Sequence, residues 1–501
     1  MSDSSKEYRQ ILKATSLFGG VQVFNILIAL VRSKVIAILI GPTGMGIASL
    51  LNSTLNLVNG ATNLGLDRSA VKEIALAENS EEGKRTSRLI SVLNRLVWIT
   101  ALGGALLMIL FAKPLSKWAF GETSYDWAFM WLSLALIFKQ LTSSRLAVLQ
   151  GLRKLGNLAK ANLIGNGLAL VLTLPLYYYY GIGGIVPAII LTALISLVIV
   201  LIYSQGIEVS REKIGRKELV SEGKSMVNLG VMMSLSSMIT LIVGYLIQIF
   251  ISGSGGLDEV GLYNAGFVIL NTYVGLIFSA MATDYFPRLS GVAFDAEKSS
   301  NSVLQQAIVA ILLLTPVVIM FIGAAPWMVR ILYTVEFLPV VPLLTWGILG
   351  MVFKATSWSM GYLILAKGDS SLFIRTSIFF NSVLLTLNIL GYRWGGLEGL
   401  GISFLIYYII HFLGVKWIIH WRYGFKMQTE FYPIFLFCLA LCAGGFLLTW
   451  VDDPWLEYGG LAVLFVAACW YSWKQLDRRL DLGQFLLHIF KGRKNKDDET
   501  E

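Results

Sequence analysis

The chain has 501 residues, 56% of them hydrophobic and only 14% charged. A soluble domain carries roughly 25% charge, so a soluble globular fold is excluded. The net charge of +9, from 40 Lys and Arg against 31 Asp and Glu, does not imply nucleic acid, because in a membrane protein the placement of charge matters more than its sum.

A bilayer-crossing helix needs about 20 predominantly apolar residues. Residues 1–14 are polar and basic and read as a cytoplasmic N-terminus. Apolar windows then predict helices over 15–40, 44–66, 89–111, 127–148, 158–179 and 183–204, a first lobe of six within residues 15–204. A basic linker, 205–225, leads to a second lobe within 226–419, with helices over 226–251, 261–283, 303–325, 341–365, 371–391 and 397–419. Two further helices, 431–450 and 457–474, lie within 431–474 and bring the expected number to fourteen. Residues 475–501 read as an amphipathic surface helix, 476–490, followed by a charged tail. The predicted class is an all-α polytopic membrane protein.

Thirty of the 40 basic residues fall in or beside the loops on the N-terminal side of the membrane, four fall in the opposite loops, and six lie within spans. Short basic loops are retained in the cytoplasm, so both termini are expected inside. The glycines over 41–46 and 181–184 read as tight outer turns. Cys438, Cys442 and Cys469 sit in apolar stretches without metal-ligand spacing and read as core residues.

Sliding the chain by 215 residues pairs Gly41 with Gly256, Gly46 with Gly261, Phe138 and Lys139 with Phe353 and Lys354, and Lys160 with Arg375. The same offset pairs Asn166 with Asn381, Tyr177 with Tyr392, Gly181 with Gly396 and Gly184 with Gly399. Charged, Asn and Gly matches at one offset point to a duplication. Six helices return the chain to its starting side, so the halves are expected to be parallel repeats, with the last two helices outside them.

The charges inside the predicted spans are Arg32, Lys34, Arg95, Lys139, Arg145 and Lys354, all cationic. Lys139 and Lys354 fall near the middle of helices 4 and 10, where each charge costs roughly 2.5 to 3.5 kcal/mol, so both are expected to face water or an anion. Backbone capture within a packed bundle is the structural alternative. Arg32 continues a polar stripe of Gln22 and Asn25, as a wet cavity would require. Arg95 and Arg145 lie close enough to helix ends for snorkelling to compete with a cavity role, and Lys34 points away from Gln22 and reads as an outer anchor. Asn52, Asn56, Asn59 and Asn63 recur at i, i+4, i+7 and i+11. With Asn166 and Asn381 they read as a polar lining able to receive sugar hydroxyls, interhelical hydrogen bonding being the alternative. Asp67 with Arg68 and Asp284 with Arg288 could form cytoplasmic gate pairs or plain solvated end charges.

No G-x-x-x-x-G-K-[ST] loop occurs, so ATP binding of the P-loop kind is not expected. His411, His420 and His488 are dispersed and suggest neither a zinc site nor acid-base catalysis. No metal, cofactor or enzymatic activity is expected.

Residues 30–46, LVRSKVIAILIGPTGMG, and 64–75, LGLDRSAVKEIA, resemble the start of Wzx O-antigen and enterobacterial-common-antigen translocases, in the MOP exporter superfamily with MurJ flippases and MATE exporters. That resemblance implies two six-helix lobes forming a V around a cationic cavity. It also implies flipping of an undecaprenyl-diphosphate-linked oligosaccharide across the bacterial inner membrane by alternating access. It implies membrane lipid as a partner, and a polysaccharide polymerase and a chain-length regulator as further ones. The two extra helices resemble those of MurJ, where they help form a groove for the lipid tail; lobe stabilisation is the alternative. A MurJ-like lipid II flippase, a MATE-like cation-coupled drug antiporter and a non-transporting scaffold for glycan-assembling enzymes are the competing readings. A coupling ion, H+ or Na+, is left open by the sequence.

Overall fold

The computed structural model describes residues 3–79, 83–207 and 216–480, and they are helical with no strand among them. The linker residues 208–215 and most of the expected surface helix and tail lie outside the described residues. The chain divides into two compact units, Met1–Asn264 with Arg330–Phe337, and Ala265–Val329 with Leu338–Glu501.

The first unit contains α1 (Asp3–Asn63), α2 (Leu66–Asn79), α3 (Gly83–Leu110), α4 (Ala112–Phe120), α5 (Asp126–Gly151), α6 (Leu155–Tyr180), α7 (Ile185–Tyr203) and α8 (Arg216–Gly255). It also holds the start of α9 (Leu257–Val268). The windows 15–40 and 44–66 fall on one element, α1, broken at Gly41, whose φ of 62° a side-chain-bearing residue rarely adopts. Residues 112–120, expected as outer loop, form the short α4, which buries Ala112, Leu115, Ser116 and Ala119 and exposes Trp118.

Helices in a bilayer gain little from apolar burial against one another and associate instead through close packing and interhelical hydrogen bonds. Both devices are present in this unit. The buried Gln140 of α5 donates to Thr62 Oγ1 of α1 at 2.8 Å and accepts from Thr100 Oγ1 of α3 at 3.0 Å. Thr54 of α1 donates to the Tyr245 hydroxyl of α8 at 2.7 Å. Gly46 backs onto the Leu257 carbonyl and Gly261 onto the Pro42 carbonyl, so a Cβ at either position would strike backbone. Thr43 hydrogen-bonds Asp258 alongside. Thr43 and Asp258 are 215 residues apart, and the two glycine contacts are reciprocal at that offset, which relates Gly46 to Gly261 and Pro42 to Leu257.

The second unit continues from α9 through a π-helical turn, Ile269–Val274, into α10 (Leu276–Val292) and α11 (Ala296–Leu332). It is completed by α12 (Val341–Ala366), α13 (Ser370–Tyr423), α14 (Phe431–Leu448) and α15 (Pro454–Leu480). The windows 371–391 and 397–419 again merge, into α13, which bends at Gly395 and Gly396. Asp369 caps α13 by accepting from the Leu372 amide at 3.1 Å, an N-cap arrangement that serves an otherwise unpaired N–H. The α12 helix seats Gly350 against Phe404 of α13. Ser472 of α15 donates to the Leu312 carbonyl of α11 at 2.7 Å, which ties the last helix to the unit. Cys438 and Cys442 are buried in α14 as small core residues.

Backbone conformations recur at the same offset. Gly181 has φ 54° and ψ −126°, and Gly396 has φ 56° and ψ −132°. Gly41 and Gly256 are both left-handed, at φ 62° and 87°, as are Arg153 and Gly368, at 53° and 70°. Ten stretches among the described residues are long and apolar enough to cross a membrane, and three of them, Phe24–Asn63, Leu155–Tyr203 and Ser370–Tyr423, contain these glycine breaks. The α15 helix, which covers the fourteenth window, is not one of the ten.

Candidate functional site

In the first unit a cavity of about 320 Å³ is walled by the first arm of α1 and its second arm, α5, α6 and α7, and it takes in Arg32, Asn52, Lys139, Asn162, Asn166 and Thr192. A second cavity of about 400 Å³ shares Arg32 and Asn52 and adds Asn56, Tyr177 and Asn264. A third, about 220 Å³, continues with Asn56, Asn59, Asn63, Asp67 and Arg68, opposite Ser234 and Ser237 of α8. The four-asparagine stripe of α1 faces these successive cavities. At about 30 Å³ of liquid per water, the first cavity alone has room for roughly ten waters.

Lys139, on the wall of the first cavity, donates to Asn56 Oδ1, which lines the second and third. This neutral acceptor orients the ammonium without cancelling its charge. Arg32 Nη2 lies 3.5 Å from Thr192 Oγ1, and Asn166 Nδ2 donates to Asn25 Oδ1 at 3.1 Å. Two cations with neutral hydrogen-bonding partners in a concave, partly apolar wall form a site suited to an anion bearing several oxygens, such as a phosphate ester.

The second unit repeats one element of this arrangement. Lys354 donates to Asn271 Oδ1 at 3.0 Å, the two residues being 83 apart, as are Lys139 and Asn56. Its surroundings differ, however. The ammonium lies 5.3 Å from the Tyr408 ring centroid and 5.6 Å from that of Phe278, distances at which cation–π attraction operates. His411 packs on Phe380 at 4.4 Å and on Tyr407 at 5.7 Å, with its Nδ1 buried and lacking a hydrogen-bond partner.

The remaining sequence-derived residues are distributed. The side chain of Gln22 lies outside the described residues. Arg95 is exposed on α3 and Arg145 half-buried on α5, and neither lines the three cavities above. Asn381 donates to the Ser377 carbonyl of its own helix at 2.9 Å. Asp67 accepts from Asn63 at 2.9 Å, and Arg68 donates to the Met233 carbonyl at 2.7 Å. Arg288 lies 3.5 Å from Asp284, with both side chains well exposed. Lys34 donates to the carbonyls of Arg330 and Tyr333, which fits its reading as an anchor outside the cavity. Asn271, Tyr408 and Thr192 were not singled out by the sequence, and His411 was read there only as one of three dispersed histidines. The offset from Asn56 would have given Asn271; the other three become visible only through packing between helices.

The model of the polysaccharide biosynthesis protein family matches residues 35–342, more than half of the chain. The chain belongs to this family. The lipid III flippase of Escherichia coli (strain K12) is 23% identical over 398 residues, which cover 76% of this chain and 92% of the flippase. The putative O-antigen transporter of Shigella flexneri is 24% identical over 291 residues, 56% of this chain and 66% of that one. Among solved structures, the lipid II flippase MurJ in an inward closed conformation matches with a TM-score of 0.70 at 13% identity, covering 94% of this chain and 99% of MurJ. The fold is thus MurJ-like, the chain is a multi-pass membrane protein, and the resemblance to Wzx-type members of the superfamily is borne out.

Proposed function

We propose that this protein is a flippase for a lipid-linked oligosaccharide of the undecaprenyl-diphosphate type, moving it from the cytoplasmic to the outer leaflet of the bacterial inner membrane. The observation that carries this reading is that Arg32 and Lys139 line one polar cavity of the first unit, Lys139 being oriented by Asn56. A diphosphate crossing a hydrocarbon core about 30 Å thick must exchange its hydration for fixed donors. Lys139 and Arg32 would supply the charge, while Asn52, Asn162 and Asn166 offer amides to the first sugars. The names of the relatives, lipid III flippase and putative O-antigen transporter, support a glycan cargo, and either cargo brings the same demand for cations.

The reading includes fourteen crossings, cytoplasmic termini and two six-helix repeats, 15–204 and 226–419. The matched conformations of Gly181 and Gly396 and the matched Lys–Asn pairs support the duplication. Rocking of the repeats would give alternating access. The end charges Asp67, Arg68, Asp284 and Arg288 are proposed as groups that change partners during that motion. A MurJ-like lipid II cargo is the second reading, favoured by the breadth of the MurJ match; the cation site serves both.

The test is complementation. Expressed in a strain that lacks its own O-antigen flippase, the protein should restore surface glycan, and Lys139→Ala should not, at equal membrane abundance. Restored glycan in the Lys139→Ala strain would refute the site, and rescue only of a strain lacking its lipid II flippase would replace the cargo.

A further inference from the structure

Away from the lysines, the second unit contains a concavity of different chemistry. At the end where α13 bends at Gly395 and Gly396, α11, α12, α13, α14 and α15 line an open concavity of about 310 Å³, with Trp450 exposed at its rim. Trp346 of α12 packs on Phe446 of α14 with centroids 4.4 Å apart and stands 6.5 Å from Trp450. Its indole N–H donates to Glu398 Oε1 of α13 at 3.0 Å. Glu457 and Tyr458, at the start of α15, complete the wall. The lining holds two carboxylates and no Lys, Arg or His, so a diphosphate is repelled from it.

We propose that this cavity is a sugar-binding subsite that takes one pyranose ring of the transported glycan. A pyranose has an apolar C–H face, which packs on aromatic rings, and a rim of hydroxyls, which donate well to carboxylates. Both complements are present here within a single wall. Tryptophans of a membrane-interface belt act by facing lipid and headgroups. Here Phe446 is buried, Trp346 is half-buried, and the indole N–H is spent on a carboxylate of a neighbouring helix. In the proposed orientation this end faces outward, so the subsite holds sugar that has already crossed. It also gives α14 and α15, which lie outside the repeat, a part in binding. The inference rests on the flippase reading for the source of the sugar.

The experiment uses the full-length protein in lipid nanodiscs and calorimetric titration with glucose and N-acetylglucosamine as probes. Mannitol serves as an acyclic polyol control and tetramethylammonium as a cation control. One of the ring sugars should bind saturably, mannitol should not, Trp450→Ala should weaken binding about tenfold, and Glu457→Gln about fivefold. Both substitutions lie at exposed or half-exposed positions, and unchanged thermal melting will show that the variants fold. Should one of them fail to fold, Trp346→Phe, which keeps a ring and loses the N–H, takes its place. Absence of saturable sugar binding, equal affinity in the variants, or saturation by tetramethylammonium alone would each overturn the subsite. A failed titration with glycan export intact overturns the subsite and leaves the flippase reading standing; sugar binding by a protein that exports no lipid-linked glycan does the reverse.

Discussion

Replacing Lys139 by Met should separate stability from function. The ammonium sits in a membrane-spanning helix with Asn56 as its recorded hydrogen-bond partner. Removing a charge from that depth relieves at most about 2.5–3.5 kcal/mol, the full figure applying only to a dry ammonium. Against this, one interhelical hydrogen bond is lost, worth about 0.6 kcal/mol on average and 1.7 at most. The Asn56 amide lines two cavities roomy enough for water to replace the lost partner, so no large desolvation penalty is expected. The variant should therefore melt at or above the wild-type temperature, by at most roughly 3 kcal/mol of added stability on these figures. Binding should change in the opposite sense, because a hydrogen bond to a charged group contributes about 1.5–3 kcal/mol, or roughly ten- to 150-fold in affinity. The assay pairs thermal melting of the purified protein with titration of a diphosphate-linked glycolipid in nanodiscs. Glycolipid affinity within twofold of wild type, in a variant that melts normally, would refute the reasoning.

Gly46→Leu should lower melting temperature and membrane yield by an overpacking penalty of about 1–3 kcal/mol or more, because the added atoms meet the Leu257 carbonyl, whereas Gly103→Ala, with open space around it, should be neutral. Arg153→Gly should raise the melting temperature, since a non-glycine residue at φ 53° carries roughly 1–2 kcal/mol of strain, partly offset by the entropy of the new glycine. The Leu372 amide and then the Arg422 guanidinium hold the Asp369 carboxyl below the usual carboxylate range. A depressed value in the folded state gives stability that is complete above about pH 4 and is lost as pH falls through the folded value. Asp369→Asn should flatten the acid limb of the melting profile, and an unchanged limb would contradict the assignment.

Much of the helical layout was legible because apolar length is nearly sufficient to define a span. Glycine turns could be read in the same way, since Gly41, Gly181 and Gly396 mark places where φ is positive. The merging of two windows into α1 and of two into α13 was not legible, because a bend at one or two glycines leaves the hydrophobic pattern unbroken. The α4 helix was hidden because it is too short to span and carries Lys113 and Lys117. In the site, Lys139 and the asparagine stripe were visible through charge and helical spacing. Asn271 was missed because it stands alone: the counterparts of Asn52, Asn59 and Asn63 at the same offset are Phe267, Val274 and Phe278, so no polar stripe marks it. The aromatic surroundings of Lys354 come from α10 and α13, more than 50 residues from the lysine in each direction, and no local pattern encodes such an encounter. Trp346 and Glu398 escaped notice for the same reason, their indole–carboxylate bond spanning 52 residues.

The central claim is that a cation in the first unit carries a diphosphate across the membrane. It is tested most directly by reconstituting the purified protein into liposomes with a fluorescent diphosphate-linked glycolipid and measuring how fast the outer-leaflet label becomes accessible to a membrane-impermeant quencher. The wild type should equilibrate the two leaflets, Lys139→Met should remain close to protein-free liposomes, and Lys139→Arg should recover part of the rate. Equal rates for wild type and Lys139→Met would contradict the account.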